Sequence, residues 1–449
     1  MEKLGKVKRI MPPVEEIIER DSKYVIHGSN YGPVILVEAR GALVKDANGK
    51  EYIDCIAGTA GPVLIGWGHP KVVEAIKKQA EFPHAFFGYV NLPRVELAEK
   101  LAKIAPRGLT KSWFGSGGGE AVETALKAAI KYTKKKEAIS LYEGYHGMTI
   151  ALSNLGQARL REGLPMVPGF RQIPSPYCYR CFYGQSYPGC DFECARALEE
   201  AVKHGSSHDV AAFVMEPIQG MGGHVYPPDK EYARIIRETC DKHGMLIIAD
   251  EIQTGLGRTG KMWGSECIGL QPDIMCVGKA LGGGVPISAA IFREEVAEGA
   301  FKDHQPRETW HPSTFSGNPI NCAVASAVID VILEEKVPEK AATLGSFLTG
   351  KLKELQGRHQ LIGEVRGPGL FIGVEIVKDK KTRERAPEEA LKAAAMCFER
   401  GVWFGLSQQP GIGNVFKIKP PVAITRDQIS KAVDVIDGVL NEVEKGMSG

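Results

Sequence analysis

Helical segments and short apolar runs alternate through the middle of the chain. Apolar positions with helical spacing occur in residues 72–77 and 95–101. Residues 211–215 and 245–249 are instead continuously apolar and bounded by turn residues. Apolar runs of this length are typical of parallel strands that are buried on both faces. The pattern predicts an α/β protein with a doubly wound, mainly parallel sheet flanked by helices.

The two chain ends have a different pattern. Residues 33–38 and 42–45 predict two short strands near the N-terminus, and residues 370–377 predict another near the C-terminus. Neither end has enough strands for a sheet of its own. We therefore expect residues 1–70 and 326–449 to form one small α+β domain together.

Size and composition narrow the class of protein. The chain has 449 residues, of which 43% are hydrophobic, so residues 71–325 can form a large domain with a sizeable core. A formal net charge of +2 gives no reason to expect a nucleic-acid partner. No apolar run approaches the ~20 residues of a membrane span, and the charged N-terminus leads into no hydrophobic signal core. We expect a cytoplasmic protein without a membrane partner.

Four of the ten cysteines are clustered in one short segment. Cys178, Cys181, Cys190 and Cys194 have the spacing C-x2-C-x8-C-x3-C. Four thiolates suit a structural zinc ion, and one or two disulfides also fit, since disulfides persist inside some heat-adapted cells. Four free thiols that pack an insert are the third alternative. None of the three would carry the chemistry.

Lys279 is the first candidate for chemistry. It follows an apolar run and precedes the glycine-rich turn at residues 282–284, so we expect it to be poorly solvated. Desolvation lowers the pKa of a lysine and turns it into an amine nucleophile. Such an amine can hold an aldehyde cofactor as a Schiff base, and pyridoxal 5'-phosphate (PLP) requires that lysine and an acid facing its pyridine nitrogen. Most lysines are surface charges, so the surrounding motifs must decide whether Lys279 is a nucleophile of this kind.

Two carboxylates follow predicted strands. Glu216 comes directly after the run 211–215, and Asp250 follows the run 245–249. Ligands of open α/β sheets bind beyond the carboxyl ends of the strands, so both acids can face one crevice. An ionised Asp250 there would keep a pyridine nitrogen protonated, and Gln253 would donate to the phenolic oxygen of the ring. The alternative role for each acid is an N-cap of a following helix.

Two glycine-containing segments complete the set. Residues 115–121, with the sequence GSGGGEA, precede a helical pattern. Glycines and a helix start offer free N–H groups to a phosphate, although a plain tight turn is the alternative and the nucleotide-binding P-loop pattern is absent. In residues 142–149, Tyr145 can stack on a cofactor ring. The alternative is an ordinary aromatic residue that packs in a loop.

In this order and spacing, the motifs resemble those of the class III aminotransferases, a family of fold-type I PLP enzymes. The resemblance extends from about residue 30 to residue 440 and is far more specific than any single motif. Besides Lys279, the motifs that carry it are GSGGGEA from Gly115, YHG from Tyr145, EPIQG from Glu216, ADEIQTG from Ala249 and TFSGNP from Thr314. The resemblance implies a large domain with a mainly parallel sheet and a small domain built from both chain ends.

The resemblance also implies roles for individual residues. Lys279 would form the Schiff base and, once displaced by the substrate amine, act as the general base. Asp250 would pair with the pyridine nitrogen. The other implied contacts of the cofactor ring are Tyr145, His146, Glu216 and Gln253.

The phosphate of the cofactor would be held by the glycine-rich turn. The matching residues are Ser116, Gly117, Gly118 and Gly119. Thr314 matches a threonine that reaches the phosphate of the neighbouring subunit. The resemblance therefore implies a homodimer or larger assembly with shared active sites.

Three positions of the expected substrate pocket depart from the family pattern. Many members that act on α-amino acids have an arginine where this chain has Lys417, and lysine cannot form the same two-point fork on a carboxylate. Members that act on 4-aminobutyrate often have arginine and glutamate where this chain has Met148 and Met221. These changes predict a more apolar pocket and argue against 4-aminobutyrate as the substrate.

Within the family, two branches are most similar. Residues 367–421 resemble the dialkylglycine decarboxylase branch, but the early loop at residues 57–61, with the pocket residue Thr59, lacks the glutamine that favours decarboxylation. Residues 113–115 resemble the corresponding segment of amino-acid racemases, including amino-caprolactam racemase. We expect transfer of an amino group between an amine or amino acid and a 2-oxo acid. The alternative is racemisation or epimerisation of an amino acid, its amide or its lactam.

Two further classes of protein are disfavoured. A binding protein built on the same fold without PLP is disfavoured because Lys279 and Asp250 are both present. A nucleotide-binding α/β enzyme is disfavoured because the sequence has neither a P-loop nor a dinucleotide fingerprint.

Overall fold

The computed structural model describes residues 11–26, 34–83, 89–157, 162–301, 313–407 and 413–447. In chain order, the strands are β1 (Leu36–Arg40), β2 (Leu43–Asp46), β3 (Glu51–Asp54), β4 (Leu109–Gly115), β5 (Glu137–Leu141), β6 (Phe170–Ile173), β7 (Val210–Met215), β8 (Leu246–Asp250), β9 (Ile274–Val277), β10 (Ser288–Arg293), β11 (Ile362–Arg366), β12 (Ile372–Ile376), β13 (Val402–Trp403), β14 (Gly405–Leu406) and β15 (Val415–Ile418). The α-helices are α1 (Val14–Tyr24), α2 (Pro70–Ala80), α3 (Leu92–Ile104), α4 (Gly118–Thr133), α5 (Ile150–Asn154), α6 (Glu193–Gly205), α7 (Glu231–Lys242), α8 (Gly264–Ile268), α9 (Glu294–Phe301), α10 (Pro319–Glu334), α11 (Val337–Arg358), α12 (Pro387–Glu399) and α13 (Arg426–Met447).

The middle of the chain forms a seven-stranded sheet with the order β4-β10-β9-β8-β7-β5-β6. The pairs along β9-β8-β7-β5-β6 are parallel, whereas β10 runs antiparallel to both of its neighbours. The strands predicted at residues 211–215 and 245–249 are β7 and β8, and the helical patterns at 72–77 and 95–101 lie within α2 and α3. These predictions are confirmed.

Both faces of this sheet are covered. In β8, Ile248 belongs to an apolar cluster with residues of α4, whereas Ile247 and Ala249 belong to a cluster with residues of α6 and α7. Successive side chains of a strand point to opposite faces, so a strand covered on both sides needs apolar residues at every position. This is the physical reason for the uninterrupted apolar runs in the sequence.

Residues from the two chain ends meet in one sheet. The order of this sheet is β1-β2-β3-β13, and Val402 and Trp403 of β13 pair in parallel with Ile53 and Asp54 of β3. A third sheet, with the order β11-β12-β15-β14, is antiparallel. The strands predicted at 42–45 and 370–377 correspond to β2 and β12. Of the strand predicted at 33–38, residue 33 lies outside the described ranges and β1 begins at Leu36.

The segment with the four clustered cysteines begins after β6 and ends in the first turn of α6, which contains Cys194. All four are free thiols. Burial, together with the nearby thiols of Cys178, Cys190 and Cys181, raises the pKa of Cys194 to about 12. In the part of the chain that the structure describes, no three His, Cys, Asp or Glu side chains are arranged to hold a metal ion. None of the described helices is both long and apolar enough to cross a bilayer.

The sheet topology determines where a ligand can bind. Because β5, β7, β8 and β9 are neighbours and parallel, their carboxyl ends lie along the same edge of the sheet. The segments that follow these strands carry the candidate residues of the sequence. This edge is the ligand-binding edge of open α/β sheets.

Candidate active site

A cavity of about 230 Å³ lies at this edge of the sheet. Its lining comes from the N-terminus of α4 and from the segments that follow β5, β7, β8 and β9. These parts of the chain are far apart in the sequence. The lining residues are Gly118, Gly119, Tyr145, His146, Gly147, Met148, Glu216, Asp250, Ile252, Gln253 and Lys279. The structure thus brings together most of the residues that the sequence singled out.

Lys279 begins a short 3₁₀ turn, residues 279–282, directly after β9 and Gly278. Its φ angle is +41°, in the left-handed region, where a residue with a side chain is strained. Burial lowers the pKa of Lys279, and the negative charges of Asp250 and Glu216 oppose this effect without cancelling it. The amine is therefore closer to its neutral, nucleophilic form than a surface lysine.

Asp250, the last residue of β8, is paired with His146. Its Oδ2 lies 2.8 Å from Nδ1 of His146, and its Oδ1 accepts a hydrogen bond of 3.2 Å from the N–H of Ile252. Burial opposes a charge on His146, but the hydrogen bond and the charge of Asp250 outweigh it, so the pKa of His146 is raised. The pair thus places a buried carboxylate with a fixed hydrogen-bond partner at the cavity wall.

Glu216 is buried at the end of β7. Its two carboxylate oxygens accept hydrogen bonds from the N–H groups of Tyr145, at 2.9 Å, and Gly220, at 2.8 Å. Burial and the neighbouring charge of Asp250 raise the pKa of Glu216 to about 7. Glu216 therefore holds the loop of Tyr145 against the end of the strand.

The glycine-rich turn ends at the N-terminus of α4. Gly117 is the N-cap and supplies no side chain to cap the helix, so the first N–H groups remain available to an anion. A Cβ on Gly118 would lie 2.7 Å from Cδ1 of Ile252, so this position admits no side chain without movement. The N–H of Ser116 is used within the turn, because it donates to Oε2 of Glu120 at 2.6 Å.

Gln253 is held on two sides. Its Oε1 accepts a hydrogen bond of 2.8 Å from Nζ of Lys419. Its amide lies flat against Gly220, because a Cβ there would come within 2.2 Å of Nε2. The amide therefore has a defined orientation at the cavity wall.

These observations fit PLP. A buried amine suits the aldehyde, a buried carboxylate supported by a histidine suits the pyridine nitrogen, and uncapped N–H groups beside tightly packed glycines suit the phosphate. Lys279, Asp250, Gly118 and Gly119 are the residues that would hold it.

Several predicted site residues lie outside the cavity lining. Ser116 and Gly117 immediately precede it on the same turn. Lys417 of β15 is buried, and its Nζ lies 3.5 Å from Sδ of Met221. Thr59 and Thr314 are exposed, and Oγ1 of Thr59 donates to the carbonyl of Gly58 at 2.6 Å.

Two residues near the cavity were not predicted from the sequence. Ile252 lines the cavity beside the glycine-rich turn, and Nζ of Lys419 donates a hydrogen bond to Oε1 of Gln253. Ile252 had a detectable signal, because it lies between Asp250 and Gln253 in the same motif. Lys419 had none, because its role depends on a contact across 166 residues of chain.

The fold and the cavity define a PLP-dependent enzyme of fold-type I. The model of the aminotransferase class-III family matches residues 24–440, so this chain belongs to that family. Among its relatives, the leucine/methionine racemase of Thermococcus litoralis is 38% identical over 442 residues, which are 97% of each chain. The acetylornithine aminotransferase of Methanothermobacter thermautotrophicus is 37% identical over 432 residues, or 96% of this chain and 99% of that protein.

Solved structures have the same fold. A Bacillus anthracis aminotransferase has a TM-score of 0.90 and 32% sequence identity, with 96% of this chain and 100% of that chain covered. The family and fold make this protein an enzyme that uses PLP.

Proposed function

We propose that this enzyme moves an amino group between an amine or amino acid and a 2-oxo acid, with Lys279 as the residue that binds PLP and transfers the proton. The observation that carries this proposal is the position of Lys279, Asp250 and the uncapped turn at Gly118 in one cavity. PLP, when bound, supplies an electron-withdrawing ring that makes the substrate Cα–H acidic. The chain's own residues hold the reactants and move the proton.

The acid–base groups of the described cavity favour a single base. Lys279 has a lowered pKa and is the amine available to accept a proton. Asp250 is paired with His146, and both oxygens of Glu216 are bonded to backbone N–H groups. A single base that takes and returns a proton on one face suits transfer of the amino group, whereas inversion requires proton delivery to the opposite face.

The wall of the cavity favours a substrate with an apolar side chain. Met148 lines the cavity, and Met221 lies beside it in contact with Lys417. Lys417 supplies at most a point charge to a substrate carboxylate and cannot form a planar fork. We propose that the substrate carries an apolar side chain and at most one carboxylate.

The test is a half-reaction with purified protein and PLP. In the absence of an acceptor, the loaded enzyme should release an oxo product in an amount equal to the active sites. This product is a 2-oxo acid from an amino acid and an aldehyde or ketone from an amine. Continued turnover should require a second 2-oxo acid. Absence of any oxo product from a panel of amines and apolar amino acids would overturn the proposal.

Racemisation or epimerisation of an amino acid is the second candidate. It is supported by the 38% identity over 97% of both chains with the leucine/methionine racemase of Thermococcus litoralis. If the enzyme is a racemase or epimerase, a single enantiomer of an amino acid incubated in deuterated water without a 2-oxo acid should yield the opposite enantiomer with deuterium at Cα. Label incorporation with full retention of configuration would instead favour a single-face base and amino transfer.

We also propose that the active protein is a homodimer. Thr314 is exposed, and the adjacent Phe315 is 61% exposed. Next to them, Nδ2 of Asn91 donates to the carbonyl of Gly317, and the neighbouring residues Val90 and Leu92 are 85% and 67% exposed. An apolar patch of this kind marks a contact surface, and light scattering of the PLP-loaded protein should give twice the 48.8 kDa chain mass. A monomer that remains fully active would contradict this proposal.

The division into domains remains a proposal as well. Residues 71–325 would form the large cofactor-binding domain. Residues 1–70 and 326–449 would form the small domain, in line with the pairing of β3 with β13. Limited proteolysis with cleavage near residues 70 and 325 would support these boundaries.

A further inference from the structure

Lys419 is a buried lysine that the chemistry described so far does not use. Only 2% of its surface is exposed, and it lies directly after β15. Its Nζ donates to Oε1 of Gln253 at 2.8 Å and to the carbonyl of Ala60 at 3.4 Å. The same nitrogen lies 5.7 Å from the centre of the Phe371 ring. Burying a lysine is costly, so its position calls for a functional account.

The surroundings of Lys419 disfavour a positive charge. Burial lowers its pKa well below the usual value, and the nearby charges of Lys417, Lys279 and Arg258 lower it further. Within the described ranges, Lys419 forms no ion pair with a carboxylate. Its Nζ donates to two oxygen acceptors, those of Gln253 and Ala60. Lys419 thus serves as a hydrogen-bond donor to the Gln253 amide.

Gln253 is fixed from the opposite side by Gly220. A Cβ on Gly220 would lie 2.2, 2.3 and 2.6 Å from Nε2, Cδ and Oε1 of Gln253. The amide is therefore confined between a bare backbone and the Lys419 amine. Because Oε1 is engaged by a donor, the N–H groups of Gln253 are left for a partner in the cavity.

We propose that Lys419 is a positioning residue that orients the Gln253 amide, so that its Nε2 presents an N–H group to the ring oxygen of the bound cofactor. This inference rests on the proposed PLP site. An N–H donor stabilises negative charge on the ring oxygen. The proton that this oxygen shares with the nitrogen joining Lys279 to the cofactor is therefore removed at a lower pH. Without Lys419, the amide can turn and present Oε1 to the ring oxygen, and the proton is then removed at a higher pH.

The test is a spectroscopic pH titration of the PLP-loaded holoenzyme. The absorbance of the Lys279-bound cofactor reports the pH at which its linking nitrogen loses the proton. Lys419→Met keeps an unbranched apolar stem as far as Cε and removes the donor nitrogen. It should raise this pH by about one unit, the size expected for one hydrogen bond to a charged group. An unchanged or lowered titration pH would overturn the proposal.

A double-mutant cycle separates orientation of Gln253 from a direct charge effect. In the Gln253→Leu background, Lys419→Met should shift the titration by less than about 0.3 units, because no amide remains to be turned. A full shift in that background would assign the effect to charge and would overturn the positioning role. Lys417→Met, which removes a neighbouring lysine whose Nζ lies 3.5 Å from Sδ of Met221, is the matched control and should shift the titration less than Lys419→Met.

If Lys419→Met does not fold, Gly220→Ala tests the same orientation from the other side. Its Cβ displaces the Gln253 amide, so it should raise the titration pH as well, and no shift would overturn the proposal. Failure of the proposed PLP site and failure of the proposed role of Lys419 give different results. Wild type that binds no PLP would defeat the site itself, whereas wild type that titrates normally beside an unshifted Lys419→Met would defeat only the role of Lys419.

Discussion

Nδ1 of His146 lies 2.8 Å from Oδ2 of Asp250, although the two residues are 104 positions apart in the sequence. Both side chains are almost completely buried, with 1% and 3% of their surfaces exposed. The pair combines an acid at the end of β8 with a histidine from the loop after β5. His146 is therefore the buried hydrogen-bond partner of the acid that we propose faces the cofactor nitrogen.

Replacement of Asp250 should lower the activity more than replacement of His146. Asp250→Asn removes the charge that stabilises a protonated ring nitrogen and should lower kcat/KM by about 10³-fold, as for loss of a central electrostatic contact. His146→Asn removes one hydrogen bond to a charged group and should cost about tenfold. Steady-state kinetics with circular dichroism as the folding check measures both. An equal loss in the two variants would mean that His146 acts on the reactants directly.

Lys279→Ala should abolish turnover and leave the fold intact. The variant loses both the covalent attachment of PLP and the general base, so activity should fall by at least about 10⁴-fold. Borohydride should fix the cofactor on Lys279 in wild type, detectable by mass spectrometry of the peptide, and should fix none in the variant. Lys353→Ala on the exposed face of α11 is the matched control and should keep full activity. Retained activity in Lys279→Ala would require a different base.

The raised pKa of Glu216 should make the stability of the protein without PLP depend on pH. Its pKa is about 7 in the folded chain, against 4.5 as the ordinary value. The folded state therefore holds this proton more tightly, so the contribution to stability is complete below pH 4.5 and is lost as the pH rises through 7.

The size of this effect is obtained by comparison with Glu216→Gln. Between pH 4.5 and 7, wild type should lose up to about 3 kcal/mol of unfolding free energy relative to the variant. Urea unfolding at a series of pH values measures the difference. Parallel curves for the two proteins would show that Glu216 titrates normally.

Gly118 and Gly117 offer a matched pair of substitutions in the glycine-rich turn. A Cβ on Gly118 would lie 2.7 Å from Cδ1 of Ile252, whereas a Cβ on Gly117 would meet no atom within 4 Å. In the protein without PLP, Gly118→Ala should therefore cost about 1–3 kcal/mol through overpacking, and Gly117→Ala should cost less than about 1 kcal/mol. Adding Ile252→Val to Gly118→Ala should restore part of the loss. Equal melting temperatures for the two single variants would contradict this packing argument.

His359 should be important for the attachment of α13. Its Nε2 and Nδ1 lie 2.6 Å from Asp437 and 3.0 Å from Glu444, and only 2% of the side chain is exposed. Both ring nitrogens of His359 thus have a carboxylate partner. His359→Leu removes both contacts and should destabilise the protein by about 1–3 kcal/mol. Asp437 keeps Arg358 as a partner, and Glu444 keeps the N–H of Leu361. The exposed His204→Leu is the control and should change stability by less than about 0.5 kcal/mol in urea unfolding.

The strands and the candidate lysine, Lys279, were predictable because their signals are local. The runs before Glu216 and Asp250 are uniformly apolar since both faces of the sheet are covered, and parallel strands necessarily end at one edge. The motifs around Lys279 and Tyr145 then indicated a PLP enzyme. Thr59 and Lys417 were placed in the substrate pocket by resemblance alone, and the structure leaves both outside the cavity lining.

The sequence by itself therefore determined the α/β class, the strand ends that carry acids, and the candidate Lys279, because each depends on residues a few positions apart. Tertiary structure alone decided that His146 supports Asp250, that Glu216 is held by the loop of Tyr145, and that Lys419 reaches Gln253. These contacts join segments separated by 71 to 166 residues. Their burial and geometry set the pKa values of the site, and no local pattern of residues encodes such distances.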